Sequence, residues 1–290
     1  MASPIDYAFR VSHEDFTDAA LVLVGHGSTT NVDSAAPVYQ HAAELRRRKL
    51  FAEVREAFWQ QDPRMGEVVE DILSVRVFVL PLFISEGYFS DRVIPQALRF
   101  RTGDEGSFCR VVRRDYQTFI YCKPVGTHDS MTGVLLARAR AVVGQFPFPR
   151  APDPKDTTLF IVGHGTSRDE NSRKAIERQV GLIRAMKEYA NVHGVFLEEE
   201  PRIGECYRLA QTRFVIIVPF FISDGMHTQE DMPVLLGETK RIVQQRLAAG
   251  QPAWRNPTEK HGKLVWYAPA VGTAPEIIDV ILERVRETTE

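Results

Sequence analysis

The sequence predicts an α/β protein built as two tandem copies of a parallel four-stranded sheet flanked by helices, related by a pseudo-twofold. Three observations carry this. His164 lies 138 positions after His26, and that offset holds without a gap from Val24 to Leu98. Short apolar runs alternate with helix-period segments, the pattern of right-handed crossovers and a parallel sheet. The run Val75 to Leu82 is apolar except for Arg76, as in a strand covered on both faces.

Taken in order, the first copy begins with a strand over Ala20–Val24 and a helix over Asp33–Lys49. A strand over Val54–Phe58, a helix over Arg64–Leu73 and the strand Val75–Leu82 follow. Next come a helix over Arg92–Phe100, a fourth strand over Phe119–Cys122 and a closing helix over Met131–Val143. The second copy repeats this and ends with a strand over Leu264–Tyr267 and a helix over Pro275–Thr288, where Pro275 suits a first-turn position. The repeat is punctuated alike in both copies. Gly25-His26-Gly27-Ser28 matches Gly163-His164-Gly165-Thr166, and Pro63-Arg64 matches Pro201-Arg202. Pro81-x-Phe83-Ile84-Ser85-x-Gly87 matches Pro219-x-Phe221-Ile222-Ser223-x-Gly225. Gly272 lies 146 positions after Gly126, so the second copy gains eight residues, expected around Ala249–Lys263. A proline-rich linker over Gln145–Asp156 divides the chain into 1–146 and 147–290.

Composition bounds the function. With 44% hydrophobic and 26% charged residues the chain is of globular type, and its net charge of -2 gives no basic field for nucleic acid. Cys109, Cys122 and Cys206 are too few and too scattered for a disulfide framework or a C-x-x-C metal site, so reduced thiols in a cytoplasmic protein are expected. No apolar run approaches the roughly 18 residues of a membrane span, and no secretory signal pattern opens the chain. Hydrolase, P-loop and dinucleotide motifs are absent. An Arg-His-Gly phosphatase setting is excluded because Gly25 and Gly163 precede the histidines.

Residues just past the carboxyl ends of parallel strands converge on one crevice. Three such positions in the second copy carry reactive groups: His164, Glu198 and His227. The first copy holds His26, Gln60 and Phe89 there. The losses fall on the positions of candidate ligands and bases, while the structural glycines and prolines stay. One working and one retired site follow, with metal-binding chemistry as the expectation, since neutral imidazole is the commonest ligand for divalent transition metals. Neutral drift at exposed loop ends is the bland alternative, with Glu198 merely part of the acidic run Glu198-Glu199-Glu200. Spacing leaves open which group is ligand and which is base. Phe220, Phe221, Ile222 and Met226 are candidate apolar walls, and Arg168, Arg173, Lys174 and Arg202 candidate cations at the rim.

The set Gly163-His164-Gly165-Thr166, Phe196-Leu197-Glu198, Gly225-x-His227 and Asp231-x-Pro233 resembles the class II tetrapyrrole chelatases, in particular the sirohydrochlorin cobaltochelatase/ferrochelatase group of CbiX and SirB type. The likeness covers nearly all of the chain, once per half; Gln60, Phe89 and Val93 depart from it in the first. It implies insertion of Co2+ or Fe2+ into sirohydrochlorin, on the route to cobalamin or sirohaem, without an organic cofactor. By that likeness His164 and His227 hold or deliver the metal and Glu198 helps remove pyrrole protons. Short members pair to form the cleft, so the duplicated chain resembles a fused dimer: a monomer with an internal pseudo-dimer, whose partner is the tetrapyrrole substrate. A non-catalytic metal or tetrapyrrole carrier on the same fold is the rival reading. A third keeps the first half as an interaction surface.

Overall fold

The computed structural model describes residues 16–29, 31–101, 108–165 and 170–288. In the first half, β1 (Ala19–Gly25), α1 (Ala36–Arg48), β2 (Glu53–Phe58), α2 (Met65–Val68) and β3 (Arg76–Pro81) follow one another. Then come α3 (Ile94–Ala97), β4 (Val111–Arg114), β5 (Gln117–Tyr121) and α4 (Met131–Gln145). The second half repeats the order with β6 (Thr157–Gly163), α5 (Asn171–Met186), β7 (Asn191–Phe196), α6 (Cys206–Leu209) and β8 (Phe214–Pro219). It continues through α7 (Met232–Leu235), α8 (Lys240–Ala248), β9 (Thr258–Lys260), β10 (Lys263–Tyr267) and α9 (Ile277–Arg286).

Each half forms a sheet of five strands rather than four, in the orders β2-β1-β3-β5-β4 and β7-β6-β8-β10-β9. Four strands run parallel, as expected. The fifth, β4 or β9, is an antiparallel edge strand hairpinned onto β5 or β10. It is short and carries at most two apolar residues, so no apolar run announces it. The helices expected over Arg64–Leu73 and Arg92–Phe100 are also shorter. The first reduces to α2, and the second begins early, as a π-helical turn over Phe89–Val93 that runs into α3. The eight extra residues of the second half precede β9 instead of surrounding it. β9 already sits 146 positions after β4, so the gain falls in the segment that holds α8.

Side chains alternate between the two faces of the buried central strands and create three apolar layers. Ala20, Val22, Val77 and Val79 face the outer helices of the first half, and Phe160, Val162, Val215 and Ile217 those of the second. Leu21, Leu23, Phe78, Leu159, Ile161 and Ile216 face a single interior shared by both sheets. The closing helices exchange across this interior. α4, from the first half, packs on β8 and β10, whereas α9, from the second, packs on β3.

Polar groups lock the shared layer. Arg284 on α9 is buried and donates from Nε to the Pro124 carbonyl (3.0 Å) and from Nη2 to Thr127 Oγ1 (2.6 Å). His41 on α1 donates from Nε2 to the Gly272 carbonyl at 2.6 Å. At the corresponding place on α5, Gln179 donates to the His128 carbonyl (3.0 Å) and accepts from Thr132 (2.6 Å).

Candidate active site

β6 and β8 are the neighbours at which the strand order of the second sheet reverses, and their carboxyl ends open a crevice. His164 follows β6. Gly163 before it is required by close packing, since a Cβ there would sit 2.7 Å from Ile176 of α5. Gly165 after it adopts a φ of +68°, which L side chains rarely take. The chain therefore turns sharply enough to leave the imidazole part-exposed at the strand end. His26 stands between twin constraints, with Gly25 2.7 Å from Val38 and Gly27 at +69°.

His227 opens a π-helical turn over His227–Asp231, a local irregularity often found at functional sites. Thr228 pins this turn from within, its hydroxyl accepting from Gly225 N (3.0 Å) and its carbonyl from the buried Tyr267 hydroxyl (2.7 Å). The rings of His164 and His227 lie 5.0 Å apart, nearly perpendicular at 81°. Two imidazoles bound to one ion through nitrogens at ~2.1 Å, at a near-tetrahedral angle, place their centroids at roughly this distance.

Hydrogen bonds select the tautomers. His164 Nδ1 lies 2.8 Å from the Gly165 carbonyl, which can only accept, so Nδ1 carries the proton. His227 Nδ1 donates to Asp231 Oδ2 at 2.7 Å. In both rings Nε2 is left with its lone pair, and Asp231 gives His227 a carboxylate partner of the kind that fixes the orientation of an imidazole. The sequence set included Asp231 only as part of a motif; its i,i+4 spacing from His227 was the signal for this role.

Glu198 follows β7, and its amide donates to the His164 carbonyl at 3.0 Å. Arg202 holds the same loop by donating to the Leu197 and Glu198 carbonyls, both at 3.1 Å. The Glu198 carboxylate is mostly exposed and comes within 3.9 Å of His164 at Nδ1, the nitrogen committed to Gly165. Among the described residues, no three His, Cys, Asp or Glu side chains are arranged to enclose an ion. Two imidazoles alone leave most coordination positions of an ion open.

His164, Glu198 and His227 line one cleft of about 410 Å³. Its apolar surface comes from Leu197, Val234, the exposed Leu235 and Met226, the last 67% exposed. Phe220 is buried strand core and Ile222 packs on the shared interior, so neither is a wall. Phe221 lies behind both imidazoles at 6.4 Å. The expected rim cations are otherwise engaged. Arg173 pairs with Glu199, Lys174 with Glu170 at 2.9 Å, and Arg202 holds backbone; Arg168 lies outside the described residues. The cation that does line the cleft is Lys240 at the start of α8, which the sequence reading missed because it sits in the segment without a counterpart.

In the first half the same construction holds His26 against Phe89, centroids 4.6 Å apart at 70°. Gln60 occupies the place of Glu198, its amide donating to the His26 carbonyl at 3.0 Å. A cleft of about 440 Å³ beside it is lined by Trp59, Gln60 and Arg64.

A duplicated α/β fold with an open imidazole pair at a sheet switch point defines a protein of chelatase architecture. Its sequence matches the CbiX family model twice, over residues 20–142 and 158–288, and the chain belongs to that family. A probable sirohydrochlorin cobaltochelatase of Halobacterium salinarum is 41% identical over 275 residues, covering 91% of this chain and 90% of the relative. A sirohydrochlorin cobaltochelatase of Methanopyrus kandleri is 26% identical, covering 44% of this chain and 94% of its own, about one repeat. Among solved structures, a multi-domain Deinococcus radiodurans protein described as similar to chelatases superposes with a TM-score of 0.75 at 26% identity. The match covers 94% of this chain, which spans 55% of that longer one. No helix among the described residues is long and apolar enough to cross a membrane.

Proposed function

We propose that this chain inserts a divalent metal, Co2+ or Fe2+, into sirohydrochlorin, in the synthesis of cobalamin or sirohaem. The working centre is the second-half cleft, with His164, His227 and Glu198 in it. The observation that carries this is the perpendicular imidazole pair, each ring tied at Nδ1 and free at Nε2.

Metallation brings one divalent ion to the macrocycle and removes two pyrrole protons. His164 and His227 hold the arriving ion through Nε2. Two neutral nitrogens bind it without the grip of a thiolate, so it can pass to four ring nitrogens. Asp231 keeps the His227 ring in register during that exchange. Glu198, solvent-facing and beside His164, accepts protons and passes them to water. Leu197, Met226 and Leu235 give the flat face of the macrocycle an apolar bed. Residues 1–146 and 147–290 are the two repeat units, and the chain acts as a monomer in the cytoplasm without an organic cofactor.

The test is absorbance of sirohydrochlorin mixed with Co2+ or Fe2+ and purified protein. Conversion faster than the protein-free control supports insertion. Tight binding with conversion no faster than that control turns the protein into a carrier.

A further inference from the structure

The second-half cleft has a wall with no described counterpart in the first. The second half has α8, built from the segment that holds its eight additional residues, and α8 contributes Lys240 and Val243 to the cleft. The helix is fastened from below. Glu238, just ahead of α8, is buried, with its carboxylate 3.1 Å from Arg246 on α8 and 3.1 Å from Lys260 on β9. Its counterpart 138 positions earlier is Phe100, a buried aromatic ring packed 5.2 Å from Tyr121. The first half thus plugs with a ring the place where the second half anchors a helix.

Among the described lining residues of the proposed working cleft, Lys240 is the one Lys or Arg, and it shares that lining with Glu198, Glu230 and Asp231. No carboxylate among the described residues pairs with it, unlike Arg246, Lys260, Arg173 and Lys174 around it. A polycarboxylate macrocycle entering this cleft would otherwise meet acidic side chains and neutral imidazoles. We infer that Lys240, carried into place by α8 and its Glu238 anchor, is the specificity residue that receives a peripheral carboxylate of the macrocycle and sets its orientation over the imidazole pair.

This rests on the proposed reaction for the identity of the ligand, but it concerns binding and not turnover. An ammonium on a flexible stem fits a mobile acetate or propionate arm, for which a point charge serves as well as a fork. Arg241, the next residue along α8, is also exposed and does not line the cleft, so it supplies a charge-matched control on the same helix.

The experiment titrates metal-free sirohydrochlorin into the intact chain and into variants, following its absorbance and fluorescence. Lys240→Ala is expected to raise Kd about fivefold, the scale of one exposed ion pair, and Lys240→Glu about 20-fold. Lys240→Arg should restore binding, and Arg241→Glu should stay within about twofold of the unaltered chain. Raising the salt should narrow the difference between Lys240→Ala and the unaltered chain. Equal Kd values for Lys240→Glu and the unaltered chain, or an equal loss from Arg241→Glu, would overturn the assignment. An unaltered chain that binds the macrocycle through Lys240 but does not metallate it would overturn the proposed reaction alone. No binding by the unaltered chain would overturn both.

Discussion

The two halves place an aromatic pair at the same spot by the same means and then part ways in chemistry. In one, His164 meets His227 at 5.0 Å and 81°; in the other, His26 meets Phe89 at 4.6 Å and 70°. Gly25 and Gly163, Gly27 and Gly165, and the π-helical turns at Phe89 and His227 are shared. At the candidate site the differences are Phe89 for His227, Gln60 for Glu198, Val93 for Asp231, and the absence of a described counterpart to α8. The turn geometry is kept in both halves, and the full set of His, Glu, His and Asp stands in one of them.

The largest effect expected from breaking this asymmetry is in the metallation rate. His164→Ala or His227→Ala should lower it by about 100-fold or more, while His26→Ala or Phe89→Ala changes it by less than about twofold. A first-half variant as damaging as a second-half one would place the reaction between the halves. The converse experiment rebuilds the lost groups. Phe89→His with Gln60→Glu and Val93→Asp should raise Co2+ bound per chain from one to two by calorimetric titration.

A smaller change is expected from Asp231→Asn, which keeps the shape and removes the carboxylate behind His227. Co2+ affinity should fall about tenfold, with the thermal midpoint close to that of the unaltered chain. Unchanged affinity would mean that the π-helical turn alone fixes the ring.

The smallest effect concerns acidity. Burial, reinforced by the nearby Arg138 and opposed by the bond to the Gly272 carbonyl, lowers the pKa of His41 below its ordinary 6.5. The unfolded chain therefore takes up this proton first, and the contribution of His41 to stability is lost as pH falls through 6.5 towards the folded value. The other half uses Gln179 at this place, which does not titrate. His41→Gln should accordingly flatten the dependence of the denaturant midpoint on pH below about 6.5. An unchanged slope would assign the acid sensitivity elsewhere.

Much of this architecture is legible in the sequence because it is written twice. Strand cores such as Val75–Leu82 are long apolar runs, and matched Gly-His-Gly motifs fix where they end. β4 and β9 were not legible, since Val-Val-Arg-Arg and Thr-Glu-Lys lack the length and alternation that mark a strand. Nor was the exchange of α4 and α9. The apolar face of Val134, Leu135 and Val142 reports that α4 is covered, not which sheet covers it. His164, Glu198 and His227 could be brought to one crevice on paper because each lies in the segment that follows a parallel strand. Lys240 could not, because it stands on a helix with no partner in the repeat to give it a place.

The crossed closing helices tie the fate of each half to that of the other. Cutting the chain near residue 147 would strip each sheet of a helix that lies on the other fragment, leaving two pieces with raw apolar faces. Each copy is thus part of the other's scaffold, and neither can be discarded without unroofing its twin.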